Sequence, residues 1–96
     1  MFALEYTKAF LRDVKAYYRH GGTESKLGRV LRLLQDDKSL PLALHDHQLQ
    51  GKLRRYRELH VEPDWLLVYE KDGKRLSVLC LWLATHQQLK ERERNV

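Results

Sequence analysis

Residues 53–83 read LRRYRELHVEPDWLLVYEKDGKRLSVLCLWL, and this stretch predicts a meander of three antiparallel β-strands. Apolar and β-branched residues recur there in short runs that turn residues separate. The predicted strands cover residues 53–61, 65–69 and 75–83. Glu62-Pro63-Asp64 predicts the first turn, because proline presets one backbone angle. Asp72-Gly73 predicts a two-residue hairpin between the second and third strands.

Two amphipathic helices are predicted before this meander. Apolar residues recur at helical spacing from Thr7 to His20, and again from Thr23 or Ser25 to Asp36-Asp37. Gly21-Gly22 ends the first helix, so we expect the two helices to form an antiparallel hairpin. Gly28 interrupts the second helix, which predicts close packing against the first.

A short strand over residues 2–6 and a polar C-terminal helix after Thr85-His86 complete the chain. The order β-α-α-β-β-β plus this short helix predicts an α+β domain over residues 1–96, in which a helical hairpin covers one face of an antiparallel sheet. The apolar middle strand should be buried on both faces. The other sheet face, crossed by Arg55 and Arg57 or by Arg54 and Tyr56, is left for a ligand.

Composition excludes several classes of protein. Apolar residues make up 43% of the chain and charged residues 32%, which is unlike a disordered segment. No apolar run approaches the ~20 residues that span a bilayer, and the N-terminus lacks the apolar region of a secretory signal. We therefore expect a cytoplasmic protein with no membrane partner. The lone cysteine, Cys80, suits a reducing compartment and should be buried and unreactive.

The net charge of +5 favours an anionic partner such as RNA, DNA or an acidic protein. Basic residues on the outer faces of both predicted helices fit either a solvated surface or docking on a polyanion.

Proton-transfer and phosphate-binding side chains are concentrated after residue 44. Histidine exchanges protons near neutral pH, and arginine and lysine bind phosphate. Together they can cut RNA without metal: a base deprotonates the 2′-hydroxyl, an acid protonates the leaving 5′-oxygen, and cations stabilise the phosphate.

The proton-transfer candidates are His47, His60, Asp64 and His86. The phosphate-binding candidates are Lys52, Arg55 and Arg57. His60 and Asp64 flank one predicted turn and His86 ends the neighbouring strand, so the three should converge.

Each of these residues has a simpler alternative. His45 and His47 can be solvent-exposed loop residues, His60 a hydrogen-bonded sheet residue, and Asp64 a turn residue. Zinc is a second alternative, since His45, His47, His60 and His86 supply enough nitrogen ligands.

The segments HDHQLQG (45–51) and YRELHVEPDWLLVY (56–69) resemble the YafQ branch of the RelE toxin superfamily, and the resemblance extends over nearly the whole chain. It implies a bacterial type II toxin that enters the ribosomal A site and cuts mRNA there. A cognate antitoxin, DinJ-like or RelB-like, would neutralise it. We expect no cofactor and no metal.

By matching positions, His47, His60, Asp64 and His86 fall on the family's catalytic residues. We expect His86 to be the general acid, His47 and Asp64 to share the base and orienting roles, and His60 to position or stabilise the phosphate. The family usually has arginine, glycine and an aromatic residue where this chain has Trp82, Ala84 and Lys90. Lys90 adds a charge that can contact RNA.

Two alternatives to an RNA-cleaving toxin remain. One is a non-enzymatic toxin like the ParE branch, which poisons DNA gyrase by binding. The histidine cluster argues against it, because a binding toxin needs no proton-transfer groups. The other is a relative with weakened catalysis that acts by binding a partner.

Overall fold

A five-stranded sheet in the order β1-β5-β4-β3-β2 organises the computed structural model, which describes residues 1–96. The strands are β1 (Ala3–Tyr6), β2 (His47–Gln48), β3 (Arg57–Glu62), β4 (Trp65–Asp72) and β5 (Ser77–Ala84). The helices are α1 (Lys8–Arg19), α2 (Glu24–Gln35) and α3 (His86–Arg94), with single 3₁₀ turns at Leu42–Leu44 and Gly51–Leu53. The predicted α+β class and the order of its main elements are confirmed.

The sheet is mixed, whereas the sequence predicted an antiparallel one. β3, β4 and β5 form the expected antiparallel meander. β1, however, pairs parallel with β5, with Ala3 opposite Ser77 and Tyr6 opposite Cys80. Parallel neighbours need a long connection, and most of the chain separates these two strands. The direction of this edge strand depends on that long-range pairing, which no local pattern encodes.

Several strand boundaries also differ from prediction. The strand expected over 53–61 begins only at Arg57, because a 3₁₀ turn forms at Gly51–Leu53, where Gly51 adopts a positive φ of 68°. The connection between β4 and β5 spans residues 73–76 and is longer than a two-residue hairpin. The Asp72 carboxylate accepts the backbone N–H groups of Lys74 and Arg75 at 3.0 and 3.1 Å, which stabilises this wider turn.

Threonine side chains cap both helices of the hairpin. The Thr7 hydroxyl accepts the Phe10 N–H at 2.9 Å, and the Thr23 hydroxyl accepts the Lys26 N–H at 3.2 Å. The prediction for Gly28 was wrong, since the nearest atoms to an added Cβ belong to side chains of α2 itself.

The main core lies between this hairpin and one face of the sheet. Its large buried members include Phe10, Tyr17, Leu59, Leu67 and Tyr69. Cys80 lies in the same core, so its predicted burial is confirmed, and burial raises the pKa of its thiol to about 12.

A second, smaller cluster occupies the opposite face. Leu89 of α3 packs there on Leu66, Val68 and Ala84. The middle strand is therefore buried on both faces, as predicted, and α3 covers only part of the second face. No helix of the chain is long and apolar enough to cross a bilayer.

Candidate active site

The strip of the second sheet face between α3 and β2, called the groove below, carries most of the predicted site residues. In the sheet register, His47 lies opposite Glu58, and Glu58 lies opposite Val68. His60, two residues after Glu58 on β3, lies opposite Leu66. Side chains that pair across strands project to the same face. His47, Glu58 and His60 therefore share the groove, and the N-terminus of α3 adds His86.

Asp64 and His86 form a directly bonded pair at one end of this groove. The Asp64 carboxylate oxygen Oδ1 lies 2.6 Å from His86 Nδ1 and accepts the His86 backbone N–H at 3.0 Å. Thr85 and Gln88 form a capping box that fixes the start of α3 at this point. Both side chains of the pair are more than half exposed. The bond from Asp64 orients the imidazole and leaves His86 Nε2 open to the groove.

Hydrogen bonds to the charged form keep Asp64 ionised. The pKa of its carboxyl is lowered chiefly by the backbone N–H of His86, and further by the His86 side chain. A permanent carboxylate is the partner that holds the Nδ1–H tautomer of a catalytic histidine.

His60 continues a row of imidazole rings. Its centroid lies 5.5 Å from that of His86 on one side and 5.4 Å from that of His45 on the other. The predicted convergence of His60, Asp64 and His86 is thus present in the structure.

His47 lies on the opposite wall with a different partner. Its Nδ1 donates to the His45 carbonyl at 2.8 Å, and its Nε2 lies 3.4 Å from a Glu58 carboxylate oxygen. Glu58 is not among the residues predicted from the sequence. The alternation of strand residues could have revealed it, because Glu58 and His60 are two positions apart on one strand and so share a face.

The four basic candidates have different surroundings. Lys52 and Lys90 are exposed and make no ion pair, and Lys90 lies one helical turn after His86 on the same side of α3. Arg55 forms an exposed ion pair with Glu70 at 3.1 Å.

Arg57 lies on the helix-facing side of β3. Its guanidinium donates to one Asp46 carboxylate oxygen at 2.7 and 3.1 Å and to Gln48 at 3.2 Å, and the bond to Asp46 raises its pKa. Tyr69 also donates to Asp46. These bonds attach the 38–46 loop to the sheet and so place His45 and His47.

The four histidines of the zinc alternative do not surround a common point. No three histidine, cysteine, aspartate or glutamate side chains lie close enough to hold one metal ion. The zinc alternative therefore finds no ligand set, because the imidazoles of His45, His60 and His86 form a row.

Comparison with known proteins identifies the family. Residues 2–91 match the family model described as the bacterial toxin of a type II toxin–antitoxin system, YafQ. The chain belongs to the YafQ family. It is 38% identical to the mRNA interferase toxin YafQ of Escherichia coli over 74 residues, which are 76% of this chain and 80% of that protein.

Solved structures of YafQ and related toxins share the fold. YafQ in the E. coli DinJ–YafQ toxin–antitoxin complex is 32% identical with a TM-score of 0.81, covering 92% of this chain and 96% of that one. A metal-bound toxin from Helicobacter pylori is 31% identical with a TM-score of 0.86, covering 93% and 99%. These matches confirm the predicted family, fold and toxin class, and mRNA interferase relatives agree with the predicted enzyme class.

The three departures from the usual YafQ pattern lie around α3. Ala84 is fully buried beneath Leu89. Trp82 is half-buried, and the guanidinium carbon of Arg92 lies 5.4 Å from its ring centroid. Arg92 therefore brings a cation to Trp82, but two of its N–H groups donate to Asp13.

Glu62 is the last residue of β3, and its side chain lies beside the site on the face of the sheet that α1 and α2 cover. A register shift in β3 between His60 and Glu62 turns its carboxylate toward α1 and α2, where it accepts from Lys26 and from the Tyr17 hydroxyl, both at 2.9 Å. Its pKa is lowered, mainly by the hydrogen bond from Lys26.

Replacing Glu62 with glutamine is expected to lower the free energy of unfolding by at most about 1 kcal/mol at pH 7, since the Lys26 side is exposed. A carboxyl with a lowered pKa in the folded state stabilises above its unfolded pKa, and this stabilisation disappears as the pH falls through the folded pKa. The difference between wild type and variant should therefore shrink below about pH 4.5.

Urea unfolding at pH 7, 5 and 3.5 measures this difference. Glu91→Gln is the control, because the Glu91 side chain forms no ion pair. A difference that stays constant with pH would mean that the lost charge is not its cause.

Proposed function

We propose that this chain, as the toxin of a type II system, cuts mRNA in the ribosomal A site by metal-independent acid–base catalysis and so blocks translation. The observation that carries the proposal is the groove itself. A His86–Asp64 pair and a His47–Glu58 pair stand on opposite walls, with His60 between them.

His47 is the proposed general base. Its Nδ1 donates to the His45 carbonyl, so Nε2 is the nitrogen that can accept a proton. Nε2 takes the proton of the 2′-hydroxyl as the 2′-oxygen bonds to the adjacent phosphorus. The Glu58 carboxylate, 3.4 Å away, stabilises the imidazolium that forms.

His86 is the proposed general acid. As the bond between phosphorus and the 5′-oxygen breaks, His86 Nε2 gives its proton to that oxygen, leaving a 2′,3′-cyclic phosphate and a 5′-hydroxyl. Asp64 orients the ring and stabilises its charged form before transfer. The sequence-based hypothesis let His47 and Asp64 share the base and orienting roles. In the mechanism proposed here, His47 is the base and Asp64 orients His86.

Cations compensate the charge of the phosphate. His60 lies at the centre of the groove and is the proposed direct contact, with Lys90 beside His86 as a second. Lys52 and Arg55 line a separate cleft beside Tyr56 and Trp82 and would bind flanking phosphates. We assign Arg57 a positioning role, because its guanidinium donors bind Asp46 and Gln48.

The proposed partners are the ribosome with its mRNA and an acidic antitoxin of the DinJ or RelB type, acting in the cytoplasm. The net charge of +5 suits both RNA and an acidic protein segment. A disordered antitoxin tail that folds over the basic groove would block the substrate.

Primer extension in a reconstituted translation reaction tests the proposal. We expect new 5′ ends within codons of a defined mRNA only when ribosomes are present, with 5′-hydroxyl termini that need phosphorylation before ligation. Cleavage of the naked transcript at the same rate would contradict the proposed dependence of cleavage on the ribosome. Gyrase-dependent DNA breaks without mRNA ends would replace it with the gyrase alternative.

A further inference from the structure

His45 has no evident structural task. Its ring is exposed and makes no hydrogen bond within the protein, and only its backbone carbonyl takes part in the site by accepting from His47. Its backbone is left-handed, with φ 51° and ψ 42°, a conformation that glycine or asparagine adopts at lower cost than histidine. Packing does not account for an imidazole at this position, and the left-handed backbone does not require one.

The imidazole nevertheless has a defined place. It extends the row of His60 and His86 by one ring, at 5.4 Å and an interplanar angle of 66° from His60. The outer face of the His45 ring is not covered by any other aromatic side chain.

A cleft of about 370 Å³ opens beside this ring, between the first 3₁₀ turn and the β3–β4 turn. Ala43, Leu44 and Pro63 supply apolar walls, while His45 and His60 supply the rings. The volume falls within the ~300–1,000 Å³ of ordinary small-ligand sites. Glu62 also borders the cleft, but Lys26 neutralises its charge.

A cleft with apolar walls and an exposed ring, next to a phosphate-binding histidine, suits one nucleotide of a single-stranded RNA. Unstacked bases bind proteins by stacking on aromatic side chains, histidine included, while the adjoining phosphate meets a donor. We propose that His45 is a nucleotide-binding residue whose ring stacks on a base in this cleft, which fixes the neighbouring phosphate at His60. This inference rests on the proposed cleavage of mRNA.

The test compares His45→Asn, His45→Phe and wild type in single-turnover cleavage of ribosome-bound mRNA. Asparagine tolerates the left-handed backbone and keeps the carbonyl that binds His47, but it removes the ring. Phenylalanine keeps a stacking face and removes the titratable nitrogens. His20→Asn is the matched control, since His20 is an exposed histidine at the end of α1.

We expect His45→Asn to raise the half-saturating concentration about tenfold, as loss of one base–aromatic stack does, with the plateau rate changed less than threefold. His45→Phe should recover most of the affinity that His45→Asn loses, and His20→Asn should stay near wild type. Thermal unfolding of each variant separates these effects from loss of fold.

Two results would overturn the inference. One is a His45→Asn variant that matches wild type; the other is a His45→Phe variant that fails as fully as His45→Asn while folded, which would assign the effect to protonation. Absence of cleavage by wild type would instead count against the proposed function, so the two failures are distinguishable.

Discussion

Replacing His86 with alanine is expected to lower the single-turnover rate of mRNA cleavage by about 10²- to 10⁴-fold, the usual contribution of a general acid. The leaving 5′-oxygen would depart without a proton donor, since Asp64 stays ionised and cannot supply one. The measurement is the plateau rate on ribosomes programmed with a defined codon in the A site. Substrate binding should change little, because His60 and Lys90 remain.

The same variant also removes a bond at the start of α3, so a stability control is needed. The His86 backbone N–H to Asp64 and the Thr85–Gln88 capping box both survive in His86→Ala. We therefore expect a change in unfolding free energy below about 1 kcal/mol. His20→Ala serves as a matched histidine control. Cleavage within threefold of wild type would exclude His86 as the acid.

Asp64→Asn refines the same prediction through its pH dependence. The amide keeps an oxygen for His86 Nδ1–H but loses the charge that stabilises the imidazolium, so the rate should fall by less than in His86→Ala. The lowered pKa keeps the wild-type carboxylate charged from pH 5 to 8, whereas the amide does not stabilise the protonated ring. The rate ratio of wild type to variant should therefore rise as the pH increases through this range. A constant ratio would mean that Asp64 only orients the ring of His86.

Local sequence patterns were sufficient for the elements that present this site. The Glu-Pro-Asp turn brings Asp64 beside His60, and the strand that follows brings His86 to the same edge. These are short-range consequences of turn chemistry and strand alternation, so they could be predicted. The capping threonines Thr7 and Thr23 were predictable for the same reason.

The features that could not be predicted from the sequence depend on contacts between distant segments. Asp46, which precedes β2, bonds Arg57 and Tyr69, eleven and twenty-three residues away, and β2 pairs with β3. That attachment also sets His45 against His60 and His47 against Glu58. Loop residues placed by tertiary bonds carry no periodic signal, so their partners follow only from the structure.

The largest expected effect on stability comes from Asp13, at the junction of α1, β5 and α3. Its side chain is almost fully buried, and its carboxylate accepts three hydrogen bonds. Two come from Arg92 at 2.8 Å each, and the third comes from the Leu83 backbone N–H at 3.0 Å. The bond to Asp13 raises the pKa of the Arg92 guanidinium.

Asp13→Ala should lower the free energy of unfolding by about 3 kcal/mol, because it leaves the Leu83 N–H unsatisfied and Arg92 without its partner. Urea unfolding at pH 7 measures the loss. Glu5→Ala is the control, since it breaks an exposed 3.4 Å pair with Arg75 and should cost less than about 1 kcal/mol. Equal losses in the two variants would contradict a special role for the buried carboxylate.

The effect of Asp13→Ala on mRNA cleavage should differ from the effect of replacing a catalytic residue. Asp13 does not reach the groove, but it fixes the C-terminal half of the helix whose first residue is His86. If α3 loosens while the domain stays folded, Asp13→Ala should lose cleavage more steeply with temperature than wild type and keep the same pH dependence. His86→Ala should show the opposite pattern, a large loss at every temperature with little change in stability. Cleavage by Asp13→Ala that follows wild type up to its own unfolding transition would mean that the capping box alone holds His86.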